Sequence, residues 1–230
     1  MNDFLHFASH RLQEVCLVFM ALVYTIRLIW LLHFKAGRER QAATGQPGTT
    51  PRKGILYSWF IIAQPWAMES SRSKLFLYFQ FVIFHLGVVC AIGLSFIIPY
   101  ASGLLSLKPL LWIMWIIIGG AFCVGLYRIV RRISDQYMRA ISTPDDYFSL
   151  ILLTVWFFFA FLSVSNSTTY GKWHLVTYFL LTAFFLVYVP FSKISHYLYY
   201  PFTRYYFGKS MGYRGVYPIV HSPKPKSARG

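Results

Sequence analysis

Acidic side chains are scarce in this 230-residue chain: 7 Asp and Glu stand against 22 Lys and Arg, for a net charge of +15. Charged residues of either sign make up only 13%, while 57% are hydrophobic and 20% aromatic, with mean hydropathy +0.49. A water-soluble globule of this length needs far more polar surface, so that class is excluded. Cysteine is sparse too, and Cys16, Cys90 and Cys123 show no Cys-x-x-Cys spacing. The usual iron–sulfur, zinc and covalent-haem motifs are therefore missing. All three lie in apolar runs and are expected to be buried thiols that act as small hydrophobes. Nothing in the chain reads as a nucleophile triad, a phosphate loop or a metal-ligand cluster. The N-terminus carries Asp3 in place of a basic leader, so no cleavable signal peptide is expected.

What the chain does have is apolar runs of about 20 residues, the length of a helix crossing roughly 30 Å of hydrocarbon. They are continuous and do not alternate, which favours helices over a barrel. The sequence predicts an all-α integral membrane protein with five spans, at 13–33, 76–98, 109–127, 147–165 and 173–200. Lys35, Arg38, Arg40, Arg52, Lys53, Arg72 and Lys74 crowd the first connection, and Arg128, Arg131, Arg132 and Arg139 the third. The connections near 99–108 and 166–172 hold one lysine each, Lys108 and Lys172. This bias predicts the N-terminus outside and the C-terminus in the cytoplasm, in the cell's inner (cytoplasmic) membrane. It also assigns the positive charge to orientation and lipid contact, with no nucleic acid partner.

Residues 1–207 read as the membrane domain, with a cytoplasmic loop over 34–75, and 208–230 as a basic cytoplasmic tail. Within the loop, 37–52 is rich in Gly, Pro and Thr and reads as flexible. The apolar stretch 55–66 is too short to span and is expected to be re-entrant or interfacial, or else packed on a partner.

His85 lies mid-run with no other ionisable group along 76–98, and His196 lies near the inner end of 173–200. An ionisable residue within a membrane is a functional-site hypothesis by default. Counted from Lys74 and Arg204, the two imidazoles sit about 16 Å and about 12 Å deep, within a helical turn of one another. Two rings at one depth on antiparallel neighbours can ligate one haem b iron from both faces; the bland alternative is a histidine bonded to a neighbouring carbonyl. Gly87 and Gly93 offer room for a macrocycle, or ordinary close packing. His174 lies at the outer boundary, about 40° around a continuous helix from His196. It is a quinone contact, an interfacial histidine, or the ligand of a second haem with His6 or His10. Arg27 and Arg128 either snorkel or pair with haem propionates. Lys108 is an interface anchor or a donor to a quinone carbonyl, and Ser95 occupies the same outer region. His33, beside Lys35, reads as an interface residue.

The stretch Pro190-Phe-Ser-Lys-Ile-Ser-His196 through Pro201 and Arg204-Tyr-Tyr206 resembles the end of the fifth span of respiratory nitrate reductase gamma subunits. Phe84-His85-Leu-Gly87, Trp173-His174-Leu-Val176 and Thr143-Pro-Asp-Asp-Tyr147 resemble further segments of that family, and Lys108 falls where it has a lysine near its quinol site. The resemblance covers most of the five spans. It implies that His85 and His196 are the axial ligands of the cytoplasm-proximal haem, and that His174 belongs to the distal-haem segment. Two departures stand out: Ser95 replaces the family's second histidine on the second span, and His174 to His196 is one helical turn longer. Both argue against a plain nitrate reductase subunit and leave the partner complex open.

The function expected is a haem b-containing membrane subunit that passes electrons between menaquinone or ubiquinone and a cytoplasmic iron–sulfur partner. One haem is expected, with two as the alternative. As the quinone-reactive electron-transfer subunit of a larger oxidoreductase, it would hold no catalytic site for the terminal substrate. The competing class is a haem-free membrane anchor or assembly subunit. A small transporter is disfavoured by the missing inverted repeat.

Overall fold

The computed structural model describes residues 3–34, 37, 40–67, 69–169 and 171–219, and among these every regular element is helical. In chain order they are α1 (Asp3–Ser9), α2 (Arg11–His33), α3 (Pro51–Phe60), α4 (Glu69–Arg72), α5 (Leu75–Tyr100), α6 (Lys108–Ser134), α7 (Gln136–Ile141), α8 (Pro144–Ser163), α9 (Trp173–Tyr188) and α10 (His196–Tyr213). Five stretches are long and apolar enough to cross a membrane: Phe4–His33, Leu75–Tyr100, Lys108–Ser134, Pro144–Ser163 and Trp173–Phe191. The protein is an all-helical, multi-pass membrane protein. Leu22, Ile26, Ile29, Val89 and Ile116 are exposed on these helices, as hydrocarbon contact requires.

Three boundaries differ from expectation. The first span begins at Phe4, so His6 and His10 lie on it and not before it. The third helix continues to Ser134, carrying Arg128, Arg131 and Arg132 as helical residues. The fifth span ends at Phe191, well short of Tyr200. Pro190 lacks the N–H that would continue the helix and crowds the preceding turn. Ser192 is then extended (φ −103, ψ 170), and its Oγ accepts from the Ile194 N–H at 3.2 Å. His196 opens a separate helix, so the same-face relation to His174 fails with the break.

The chain divides into two units, residues 1–32 with 76–195, and residues 33–75 with 196–230. In the first, small residues let helix backbones approach. A Cβ at Gly87 would collide with that of Ala121, and one at Gly125 would lie 2.5 Å from Thr154 Oγ1. Gly87 thus serves close packing and gives no room for a macrocycle, whereas Gly93 has open space beside it. Phe157, Tyr178, Phe179, Ile118 and Leu94 fill the core. Of the cysteines, Cys16 is buried, Cys90 half-buried and Cys123 exposed. Cys123 corrects the expectation of three buried thiols: a thiol is apolar enough to face lipid.

The second unit is a hairpin of α3 and α10. The loop before α3 ends at Thr50, whose side chain caps Lys53 N–H at 3.3 Å, with Pro51 in the first turn. Gly54 meets Gly208 and Gly212 so closely that a Cβ at Gly54 would lie 2.6 Å from the Gly212 Cα. Two backbone bonds, Gly45 N–H to Arg214 O at 2.9 Å and Gln46 N–H to Gly215 O at 3.1 Å, tie the loop to the end of α10. Part of the stretch read as flexible is therefore held in place, because its amides find partners far along the chain. The apolar 55–66 stretch is helix and 3-10 turn, with Ile61 and Ala67 buried against Tyr217. Trp59 Nε1 donates to Pro201 O at 2.9 Å, and Tyr200 OH to Trp59 O at 3.1 Å. α10 runs unbroken past residue 207 to Tyr213; the last part of the expected tail, 220–230, lies outside the described residues.

Candidate functional site

His85 is half-buried on α5. Its Nδ1 lies 2.7 Å from the Phe81 carbonyl, one turn back. A carbonyl only accepts, so Nδ1 carries the proton and the lone pair resides on Nε2. Metal-ligating imidazoles are commonly held this way, the second nitrogen pinned by a carbonyl. The Phe81 ring packs 4.2 Å from the imidazole, and Phe84 packs edge-on against Phe157 at 5.2 Å. Arg128 stands over the Phe84 ring at 5.0 Å and Arg27 over Phe191 at 5.4 Å. Both guanidiniums thus make cation–π contacts, which moderate the cost of a charge in an apolar setting. Gln80, one turn before Phe84, is buried with Oε1 unpartnered among the described residues. Sequence reading missed it, although a glutamine inside an apolar run is itself a signal.

His196 is exposed at the first turn of α10, in the other unit. The residues present at His85 fit a haem ligand: an imidazole whose Nδ1 is pinned by a carbonyl, among aromatic rings.

A second polar region lies where α2, α6 and α9 begin and α5 and α8 end. His174 is buried in the first turn of α9. Its imidazole hydrogen-bonds the Ser167 backbone, and Ser163 Oγ donates to the His174 carbonyl at 3.4 Å. Tyr178, one turn on, is fully buried and donates to the Ala91 carbonyl at 2.5 Å. Ser95 is buried near it, its hydroxyl donating to Ile92 O at 2.7 Å. The fold thus places Ser95 and the His174 turn in one neighbourhood. Lys108 is exposed at the start of α6, on the helical stripe of Trp112, Trp115 and Ile116, which with Phe161 and Leu162 line a groove. No described hydrogen bond joins it to Ser95 or His174.

α2 closes this region. Gln13 is buried and its Nε2 donates to Ala8 O at 2.9 Å and Phe179 O at 2.8 Å. Glu14 accepts from Tyr100 OH at 3.0 Å. His10 packs edge-on against Tyr100 at 5.4 Å and stacks on His6 at 4.3 Å. Glu14 was overlooked from sequence, though it is the acidic residue within the first span. Among the described residues no group of three or more His, Cys, Asp or Glu is placed to hold a metal ion. Comparison with family models, curated proteins and solved structures returns no match.

Proposed function

We propose that this chain is a haem b-carrying membrane subunit of a quinone-linked oxidoreductase, similar to respiratory nitrate reductase gamma subunits. The observation that carries the reading is His85, whose Nδ1 is committed to Phe81 O and whose Nε2 is the basic nitrogen. His196 would supply the opposite axial ligand, as the Pro190–His196 motif implies. When bound, haem b supplies a one-electron carrier in an apolar setting. Arg27 and Arg128, each lying over an aromatic ring, are the cations available to its propionates.

His174, Ser95 and Tyr178 form the head-group side of a quinone site, where His174 exchanges a proton with the quinone oxygen. Lys108 faces the same end and would meet the ring from the surface. The site holds the head group; electrons leave toward His85. Tyr178 fills the space between α5 and α9 at the level of Ser95, which supports one haem over two. The Lys and Arg bias supports an outside N-terminus in the cytoplasmic membrane, and an iron–sulfur partner docked on the basic cytoplasmic surface.

A pyridine haemochrome assay on the purified chain tests the reading: one haem b per chain is expected. No b-type signal would replace it with the haem-free anchor.

A further inference from the structure

We propose that Glu14, His10 and His6 form the proton outlet of the quinone site, with Gln13 as a hydrogen-bond acceptor for the quinol. The inference rests on the quinone reading above and names the residues that serve it. Four helical segments converge at this end of the first unit. Gln13 ties α2 to α9 through Phe179 O, Tyr178 ties α9 to α5 through Ala91 O, and Tyr100 ties α5 back to α2 through Glu14. α1 packs on α9. Among the buried side chains at this end three are polar, Gln13, Ser95 and His174, set beside the apolar Leu94, Leu175 and Phe179.

Gln13 supplies an independent pointer to a ligand. Both amide hydrogens are spent on carbonyls, so its orientation is set, because the flipped amide would face two acceptors with an acceptor. That leaves Oε1 buried, with no donor among the described residues. A buried acceptor without a donor is costly, and a hydroxyl of a quinol head group is the donor this neighbourhood calls for.

Glu14 follows on the next position of the helix. A carboxylate in an apolar span is expensive unless it has work to do, and here it is held by the Tyr100 phenol. From it a row of exchangeable groups in ring contact leads toward the end of the span. Tyr100 lies edge-on to His10, and His6 stacks on His10, whose Nδ1 is 2.9 Å from Ser9 Oγ and 3.3 Å from the His6 carbonyl, so water must link the rings. In quinol oxidation both O–H bonds break. The two electrons would leave singly to the haem that His85 would hold and onward to an iron–sulfur acceptor. One proton passes to His174 and the other to Glu14, and from Glu14 through the histidines to water. Further charged groups at this end are Arg11, Lys108 and Lys172, at the starts of α2, α6 and α9.

The test uses the full chain in lipid vesicles, reduced by decylubiquinol and in parallel by dithionite. Glu14→Gln is expected to slow haem reduction by the quinol at least tenfold and raise its solvent isotope effect, with the dithionite-reduced spectrum unchanged. Tyr100→Phe removes the donor to Glu14 and is expected to shift the carboxyl stretch in the infrared, a readout that needs no turnover. Wild-type rates in Glu14→Gln, or an unshifted band in Tyr100→Phe, overturn the outlet alone. Failure of decylubiquinol to reduce wild-type haem overturns the quinone reading and the outlet together.

Discussion

Lys193 Nζ stands 3.0 Å from Asp146 Oδ1 and 2.9 Å from Thr143 Oγ1. These residues come from two separate segments, Pro190–Lys193 at the end of the fifth span and Thr143–Asp146 at the start of the fourth. Asp146 also closes the capping box of α8, accepting from the Thr143 backbone N–H at 2.8 Å, and lies 3.8 Å from Arg132. One carboxylate thus starts a helix and fastens the point where another span breaks.

Asp146→Ala should therefore destabilise the first unit more than Lys193→Ala does. The ion pair is partly exposed and contributes about 0.2–1 kcal/mol, whereas loss of the cap adds about 1 kcal/mol. Thermal unfolding of the two variants in detergent checks the order; equal shifts would contradict it.

His85→Ala and His196→Ala should each reduce bound haem from one per chain to near zero. In His85→Gly, added imidazole should restore part of the b-type spectrum, because the apolar walls of Phe81 and Phe84 remain. Haemochrome titration across the variants measures this.

His174→Ala should leave haem content unchanged and lower the rate of haem reduction by quinol about tenfold or more, the typical scale of a lost proton-transfer group. Removal of a spectrally distinct second haem would show the one-haem count to be wrong.

Gly54→Val or Gly212→Val should open the α3–α10 hairpin, since each side chain would enter space held by backbone. Overpacking of this kind costs about 1–3 kcal/mol, occasionally more. Hydrogen exchange at neutral pH should report it as faster exchange at Gly45 and Gln46, whose amides bond to Arg214 and Gly215.

Burial pushes the Tyr217 phenol above its ordinary value, against the opposing pull of Arg204. The folded unit keeps the phenol neutral where the unfolded chain begins to ionise it. Stability is then full below about pH 10 and falls as pH rises further. Tyr217→Phe should weaken that alkaline loss, read from near-ultraviolet circular dichroism melts between about pH 8 and 11.

All five membrane-crossing helices were legible in the amino-acid order, because 20-residue apolar runs have few other uses. Their ends were less so. Pro190 is visible in the sequence, yet Phe191, Ile194 and the aromatic stretch 197–202 continue beyond it, so the fifth span was carried too far. Of the candidate residues, His85 and His196 stood out as ionisable groups in apolar runs, and His174 as a histidine at the outer boundary. Tyr178, Gln13 and Glu14 did not, because their roles depend on carbonyls and hydroxyls of other helices.

Hydropathy and charge, both local and additive along the chain, decided by themselves that this is a helical membrane protein with five crossings. Only the tertiary structure decided that Gly87 is consumed by Ala121, that the Gly-rich loop is bound to the end of α10, and that His196 begins its own helix. Those outcomes turn on close approach between segments far apart in the chain, where a single missing Cβ or one hydrogen bond determines the partner.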